Sequence, residues 1–291
     1  MRGVGDALRT SPCLAIDIGA SKVDVGVVLP DGSIVARGRL NVAQSLATLF
    51  EDIVRLAREV RGDATVEAVG VGSAGPMSRG GETVSPLNIA SWRDFPLRSS
   101  LRDALELDVY IDGDARALAL AEGVFGAARE SSSYLSMVVS TGVGGGIVLD
   151  GRLLDGETGN SGHVGHLNVV PDGALCACGA YGCLEAEVSG RAIEERTGRP
   201  ASEADQATRQ RTGQLVGRAV GSLASVLDFR HCYVAGSVAL GYGDEFFHEA
   251  TKAARTVAML SYSHEVDIRR SHLGGDGPIL GAAVVAWRGA P

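Results

Sequence analysis

The chain has 291 residues, 45% of them apolar and 21% charged, with a formal net charge of -8. That balance belongs to a globular protein able to bury a sizeable core in one large domain or two ordinary ones. It lacks the basic face of a nucleic-acid binder and the run of roughly 18 apolar residues of a membrane span, so neither partner is expected.

The opening "MRGVGDALRTSP" has no apolar stretch of signal-peptide length. Five cysteines, an odd number, do not read as a disulfide framework, and a reducing cytoplasm is the expected compartment. "CLAIDIGASKVDVGVVLPDGSIVARGRL" predicts three strands joined by two turns, an antiparallel meander. "SLATLFEDIVRLAREV" has apolar residues at threes and fours and predicts a helix. "VEAVGVGSAGP" reads as a buried strand running into a glycine loop, "SPLNIASWRDFPL" as a loop and "SLRDALEL" as a short helix. "DVYIDGDARALALAEGVFG" predicts a strand, a turn, and a helix starting near Asp114.

The second half repeats the first. "YLSMVVSTGVGGGIVLDGRLLDG" again sets a polar glycine turn between apolar runs, with an Asp-Gly turn after the second. Asp17-Ile18-Gly19 answers to Ser140-Thr141-Gly142, and Pro30-Asp31-Gly32 to Leu149-Asp150-Gly151. Such self-similarity predicts two related domains facing each other. "RAIEERTG", "QATRQRTGQLVGRAVGSLASVLD", "DEFFHEATKAARTVAM" and the small-residue stretch "GPILGAAVVAWRG" predict helices, and "HCYVAGSVA" a strand with a small-residue turn.

Three features carry chemistry. Glycine turns that present backbone N–H groups suit phosphate oxygens, and "DIGASK" and "STGVGGG" both fit. Asp17 adds a carboxylate able to hold magnesium directly or through water. Neither turn is a Walker loop, because neither runs into Gly-Lys-Ser/Thr. "GVGGG" leads into an apolar strand, whereas a dinucleotide fingerprint leads into a helix. Asp114, at a strand end before a helix, can take the proton of a hydroxyl and aim its oxygen at a γ-phosphate; a helix N-cap is the competing reading. Cys176, Cys178 and Cys183 are spaced C-x-C-x4-C with His166 ten residues upstream. That Cys3His set suits a closed, tetrahedral, structural zinc site that would fold a glycine-rich loop. His163 is a second candidate for the fourth ligand. Cys13 and Cys232 read as small core residues.

From "AIDIGASK" to the final helix, the chain resembles the ROK family of sugar kinases and sugar-responsive repressors, of the actin and hexokinase fold group. The most specific stretches are "GHLNVVPDGALCACGAYGCLEAEVSGRA" and "STGVGGGIVLDGRLLDG". The resemblance implies an α/β fold of two actin-like domains, ribonuclease H-like, with a duplicated core and an interdomain cleft. The expected division is a smaller domain over 1–112, joined by the helix at 276–291, and a larger one over 113–275 that carries the zinc loop. It implies an ATP-dependent kinase acting on a hexose or hexose derivative, by default the 6-hydroxyl of a glucose-like sugar, with ATP, Mg2+ and structural Zn2+. Asp17, Gly19, Ala20, Ser21 and Lys22 would form the first phosphate loop. Thr141, Gly142, Gly144 and Gly145 would form the second, with Ala235 and Gly236 near the adenosine. Asp114 would be the base. Gly75, Asn88, Gly113, Asp114, His163, His166 and Glu185 would line the sugar site, with His166 also on zinc. A homodimer or higher homo-oligomer is expected. Two positions depart from the family pattern: Gly113 stands where Asn usually precedes the catalytic Asp, and His163 where Glu is common. They motivate the alternatives of a catalytically impaired sugar binder or a kinase for an unusual sugar or polyol. A sugar-responsive regulator fits less well, because about a dozen residues precede the first strand and the charge is acidic.

Overall fold

The computed structural model describes residues 11–289 apart from residues 20, 46 and 88. Two predicted site residues, Ala20 and Asn88, therefore lie outside the described residues. In chain order the elements are β1 (Cys13–Ile18), β2 (Lys22–Val28), β3 (Ile34–Asn41), α1 (Val42–Ser45), α2 (Leu49–Arg61), β4 (Ala68–Ser73), α3 (Leu97–Leu105), β5 (Asp108–Gly113) and α4 (Asp114–Val124). Next come β6 (Tyr134–Val139), β7 (Val143–Leu149), β8 (Arg152–Leu153), α5 (Leu184–Val188), α6 (Gly190–Thr197) and α7 (Gln206–Leu227). The chain ends with β9 (His231–Ala235), α8 (Ser237–Tyr242), α9 (Asp244–Val257), β10 (Asp267–Arg270) and α10 (Gly277–Arg288). The helix predicted from residue 45 begins at Leu49, after the separate turn α1.

The chain divides into two units. The first runs to Arg129, takes in Arg152–Ser161 and resumes at Leu273; the second comprises Glu130–Gly151 and Gly162–His272. The first unit thus extends past residue 112 and includes α4. The reason is close packing of α4 on α10: a Cβ on Gly281 would lie 2.6 Å from the Ala117 carbonyl carbon. Arg152–Ser161 is held in the same unit by Asn160, whose side chain accepts from Met77 N at 3.0 Å and donates to Met77 O at 2.8 Å.

In the first unit the sheet order is β3-β2-β1-β4-β5. The meander β1–β2–β3 is antiparallel, while β4 joins β1, and β5 joins β4, in parallel. Every residue of β1 is buried, as expected of a strand covered on both faces, and its sequence is accordingly almost unbroken apolar. Edge strand β3 instead alternates, exposing Val35, Arg37, Arg39 and Asn41. Helix α10 is buried from Ile279 to Trp287, and its small residues bring its backbone onto the sheet. A Cβ on Gly70 of β4 would sit 1.9 Å from Ala282 O.

The second unit repeats these pairings. Its order runs β10-β9-β6-β7, with β6/β7 antiparallel and β6/β9 and β9/β10 parallel. These senses match β1/β2, β1/β4 and β4/β5, so the duplication read from the sequence is present in the topology. Gly213, Gly217 and Gly221 place α7 directly on the α9 backbone; a Cβ on Gly217 would lie 2.1 Å from Ala250 O. Among the described residues no helix is long and apolar enough to cross a membrane.

The Gly70 contact is with helix backbone, which cannot swing aside. Gly70→Ala is therefore expected to destabilise the protein by about 3 kcal/mol, read as a lower urea midpoint; an unchanged midpoint would contradict this packing.

Candidate functional site

In the first unit the parallel strands end level. Asp17 pairs with Gly72 and Gly72 with Asp112, so three strand ends come together, and α4 starts immediately beyond the last. Carboxyl ends of parallel strands are where α/β sheets receive ligands. Asp17 is buried, at 6% exposure. A Cβ on Gly72 would lie 3.4 Å from Asp17 Oδ1 and 3.5 Å from Asp114 Cα, so both acidic residues border this one position. Burial, and then the Asp114 and Asp24 carboxylates, push Asp17 up to about 8, against the pull of Lys22 and Arg37.

Asp114 is the first residue of α4, and Gly113 is its N-cap. Its Oδ1 accepts a hydrogen bond from Ala115 N at 2.7 Å. The strand end before it is fixed by Arg116, which sequence reasoning missed. Nε and Nη2 of this buried guanidinium donate to Asp112. Its Nη1 donates to Leu154 O at 2.6 Å and Ser161 O at 3.2 Å, and its Nη2 to Asp155 at 2.7 Å. The stem of Arg116 crowds position 113: a Cβ on Gly113 would lie 3.2 Å from Arg116 Cδ.

The first glycine turn comes directly after β1. Gly19 N donates to Lys22 O at 3.0 Å, and Ser21 O accepts from Val42 N at 3.0 Å. Lys22 Nζ lies 3.0 Å from Asp24, a wholly buried carboxylate that Arg39 also binds, at 2.6 Å. Burial drives Asp24 up, but hydrogen bonds from Arg39 and Lys22 outweigh it and hold the carboxyl below its usual range. Gly75 lies just beyond β4, half-buried.

In the second unit Thr141 and Gly142 form the turn between β6 and β7, whereas Gly144 and Gly145 lie within β7. Gly145 makes room for the next segment: a Cβ there would come within 2.8 Å of Val164 Cγ2. Ser140 Oγ lies 3.0 Å from Ser237 Oγ, which brings the turn to the end of β9, where Ala235 and Gly236 precede α8. Glu185 reaches the same turn, its Oε2 accepting from Val143 N at 2.8 Å.

His166 Nδ1 and the sulfurs of Cys176, Cys178 and Cys183 all lie within 4.8 Å of one another. Cys176 Sγ is 3.6 Å from His166 Nδ1, and Cys178 Sγ is 3.7 Å from Cys183 Sγ. A tetrahedral zinc, at about 2.3 Å from sulfur and about 2.0 Å from nitrogen, would set such atoms roughly 3.5–3.8 Å apart. The donor set and its spacing fit that ion. His163 is exposed, its ring centroid 6.0 Å from that of His166, and it is not one of the four. Burial raises Cys176 and takes Cys183 up to about 12, while the Ala180 backbone bond lowers Cys178. The loop closes through Gly182, whose φ of 68° and approach to Val170 O, 1.6 Å from where a Cβ would stand, admit no side chain. Glu187, also missed in the sequence, pins the loop by accepting from Ala174 N at 2.7 Å while it pairs with Arg211.

A sequence profile described as "ROK family" matches residues 13–288. N-acetylmannosamine kinase of Yersinia pestis (strain Pestoides F) is 32% identical, over 94% of this chain and 97% of that one. The ROK family glucokinase of Streptomyces griseus, solved with glucose and AMPPNP, superposes with a TM-score of 0.85 at 28% identity, covering 96% of this chain and all of its own. ROK hexokinase of Thermus thermophilus superposes with a TM-score of 0.79 at 32% identity, covering 95% and 98%.

The raised Asp17 makes a test in the ligand-free protein. Its folded value lies above the unfolded one of about 3.9, so the neutral form is the stabilising one. Its contribution is full below about pH 4 and is lost as pH rises towards the folded value. Asn cannot ionise. The melting temperature of Asp17→Asn relative to wild type should therefore climb from pH 5 to pH 8 and level off above; a difference independent of pH would remove Asp17 as its source.

Proposed function

The chain belongs to the ROK family and is a sugar kinase, a phosphotransferase with an alcohol acceptor, and on that premise we propose that it moves the γ-phosphoryl group of ATP onto a hydroxyl of a hexose or hexose derivative, by default the 6-hydroxyl. The observation that carries this reading is Asp114 at the start of α4, beside the buried Asp17 at the ends of parallel strands. Asp114 takes the hydroxyl proton as the oxygen forms its bond to the γ-phosphorus, and ADP leaves with the electron pair of the broken bond. Backbone amides of the turns at residues 17–22 and 141–142 hold phosphate oxygens. Magnesium, when bound, neutralises phosphate charge, and Asp17 is the residue to hold it, directly or through water. Exclusion of water limits wasteful hydrolysis.

The sugar is a hexose with or without an acetamido group, since the relatives named above include a glucokinase and an N-acetylmannosamine kinase. A second reading, a sugar binder that no longer transfers phosphate, rests on Gly113 and on the Arg116 stem that occupies the space beside it. A panel of glucose, mannose, N-acetylglucosamine and N-acetylmannosamine with ATP and magnesium separates the two. Sugar-stimulated ADP release supports the kinase. A sugar that raises the melting temperature without ADP release from any member of the panel supports the binder. In the kinase, Asp114→Asn should lower kcat by roughly 10²–10⁴; a fully active variant would reassign the base.

His166, Cys176, Cys178 and Cys183 hold a structural zinc, a crosslink for a loop with little apolar core of its own. Elemental analysis should find about one zinc per chain. Chelation should lower the melting temperature, and Cys178→Ser should lower both; protein purified with less than about half a zinc per chain would rule the site out.

A further inference from the structure

Glu185 is bonded to the backbone of the second glycine turn, and that bond has a use of its own. Its Oε2 accepts from Val143 N at 2.8 Å, the amide just after Gly142. The carboxylate fills the space beside the turn so closely that a Cβ on Gly142 would lie 2.9 Å from Oε2. One residue earlier, Leu184 N donates to Leu167 O at 2.8 Å, and Gly190, after α5, donates from N to Ser140 O at 2.7 Å. Cys183, one of the four clustered ligands, is the N-cap of α5, and Glu185 stands in its first turn. A continuous run of bonds therefore joins the Cys/His cluster to both ends of the turn between β6 and β7.

We propose that Glu185 is the positioning residue of the phosphate turn, holding Ser140–Val143 in its nucleotide-binding shape before nucleotide arrives; this rests on the kinase reading above. A short turn with a central glycine loses much backbone entropy when it is ordered. A turn already fixed by a charge-assisted bond spares the nucleotide that cost. The carboxylate also occupies the Val143 amide, so this N–H serves the turn's shape and is not offered to phosphate. A carboxylate has two oxygens, so a sugar contact and the tether are compatible in one side chain.

Glutamine can still accept from Val143 N through its carbonyl oxygen, and alanine cannot. The experiment compares Glu185→Ala, Glu185→Gln and wild type by calorimetric titration of AMPPNP with magnesium in the absence of sugar, with zinc content checked in each. It also tracks deuterium exchange over residues 140–145. The tether predicts that the alanine variant binds AMPPNP about tenfold more weakly, the loss of one hydrogen bond to a charged group, and exchanges faster at 140–145. Glutamine should restore most of both, and zinc content should not change. In steady state the alanine change should raise KM for ATP, not only KM for sugar. Wild-type exchange and nucleotide affinity in Glu185→Ala would overturn the proposal, whatever happened to the sugar KM. Wild-type protein that failed to bind AMPPNP would defeat the kinase reading instead, and exchange at Val143 would still decide whether the tether exists.

Discussion

Keeping a carboxylate out of water is expensive, and the first unit is arranged around one such carboxylate. Asp17 is buried within reach of a second acid at 114, and its titration is displaced to about 8. Nothing in core packing favours this. Isolated buried carboxylates lose most of their hydration and resist ionising until a cation arrives. A protein that keeps one buries a group that loses stability as it ionises, and the surrounding structure has to offset that cost. Here the small residues at 70, 117 and 281 let β4, α4 and α10 close on one another, and the packing of these elements supplies that stability. Asp24, a second buried carboxylate in the same sheet, shows the opposite solution. Lys22, Arg37 and Arg39 surround it, and its titration falls. The contrast is between a buried acid that cations surround and one whose nearest charged neighbours include two other acids.

The second unit reuses the same strand plan with a different support for its turn. Where the first turn is flanked by acids and a lysine, the second is gripped through its backbone, by Glu185 at Val143 N and by Gly190 at Ser140 O. The difference arises from the surroundings of each turn. The cysteine loop stands on little apolar core, and Glu187 and the close approach at Gly182 hold it in place. Hydrogen bonds run from both ends of α5 to the turn.

Much of this was legible in the sequence because it is local. Strand–turn–strand repeats, the Asp before a helix and the C-x-C-x4-C spacing are short-range patterns, and the structure has the strands, a helix starting at Asp114 and the four donor atoms close together. What was hidden depends on partners far apart in the chain. Arg116 reads as a surface helix arginine until Leu154, Asp155 and Ser161 come to meet it; only its i,i+4 relation to Asp112 could have hinted otherwise. Glu185 and Val143 are 42 residues apart, and no periodicity links them. The division after residue 112 missed α4 because its alanines look like an ordinary helix, and only their packing against Gly281 shows which sheet they serve.

The late position of α10 sets an order of events during synthesis. Residues 277–288 supply the helix that β1, β2 and β4 need on one face, yet those strands leave the ribosome first. Contacts of such long sequence separation form slowly and expose apolar strands in the interval. The second unit, whose chain is complete at His272, can finish while the first still waits for its last helix. The nascent chain is thus most vulnerable to aggregation at its oldest segment, and a chaperone guarding it would be needed longest by the strands that carry Asp17.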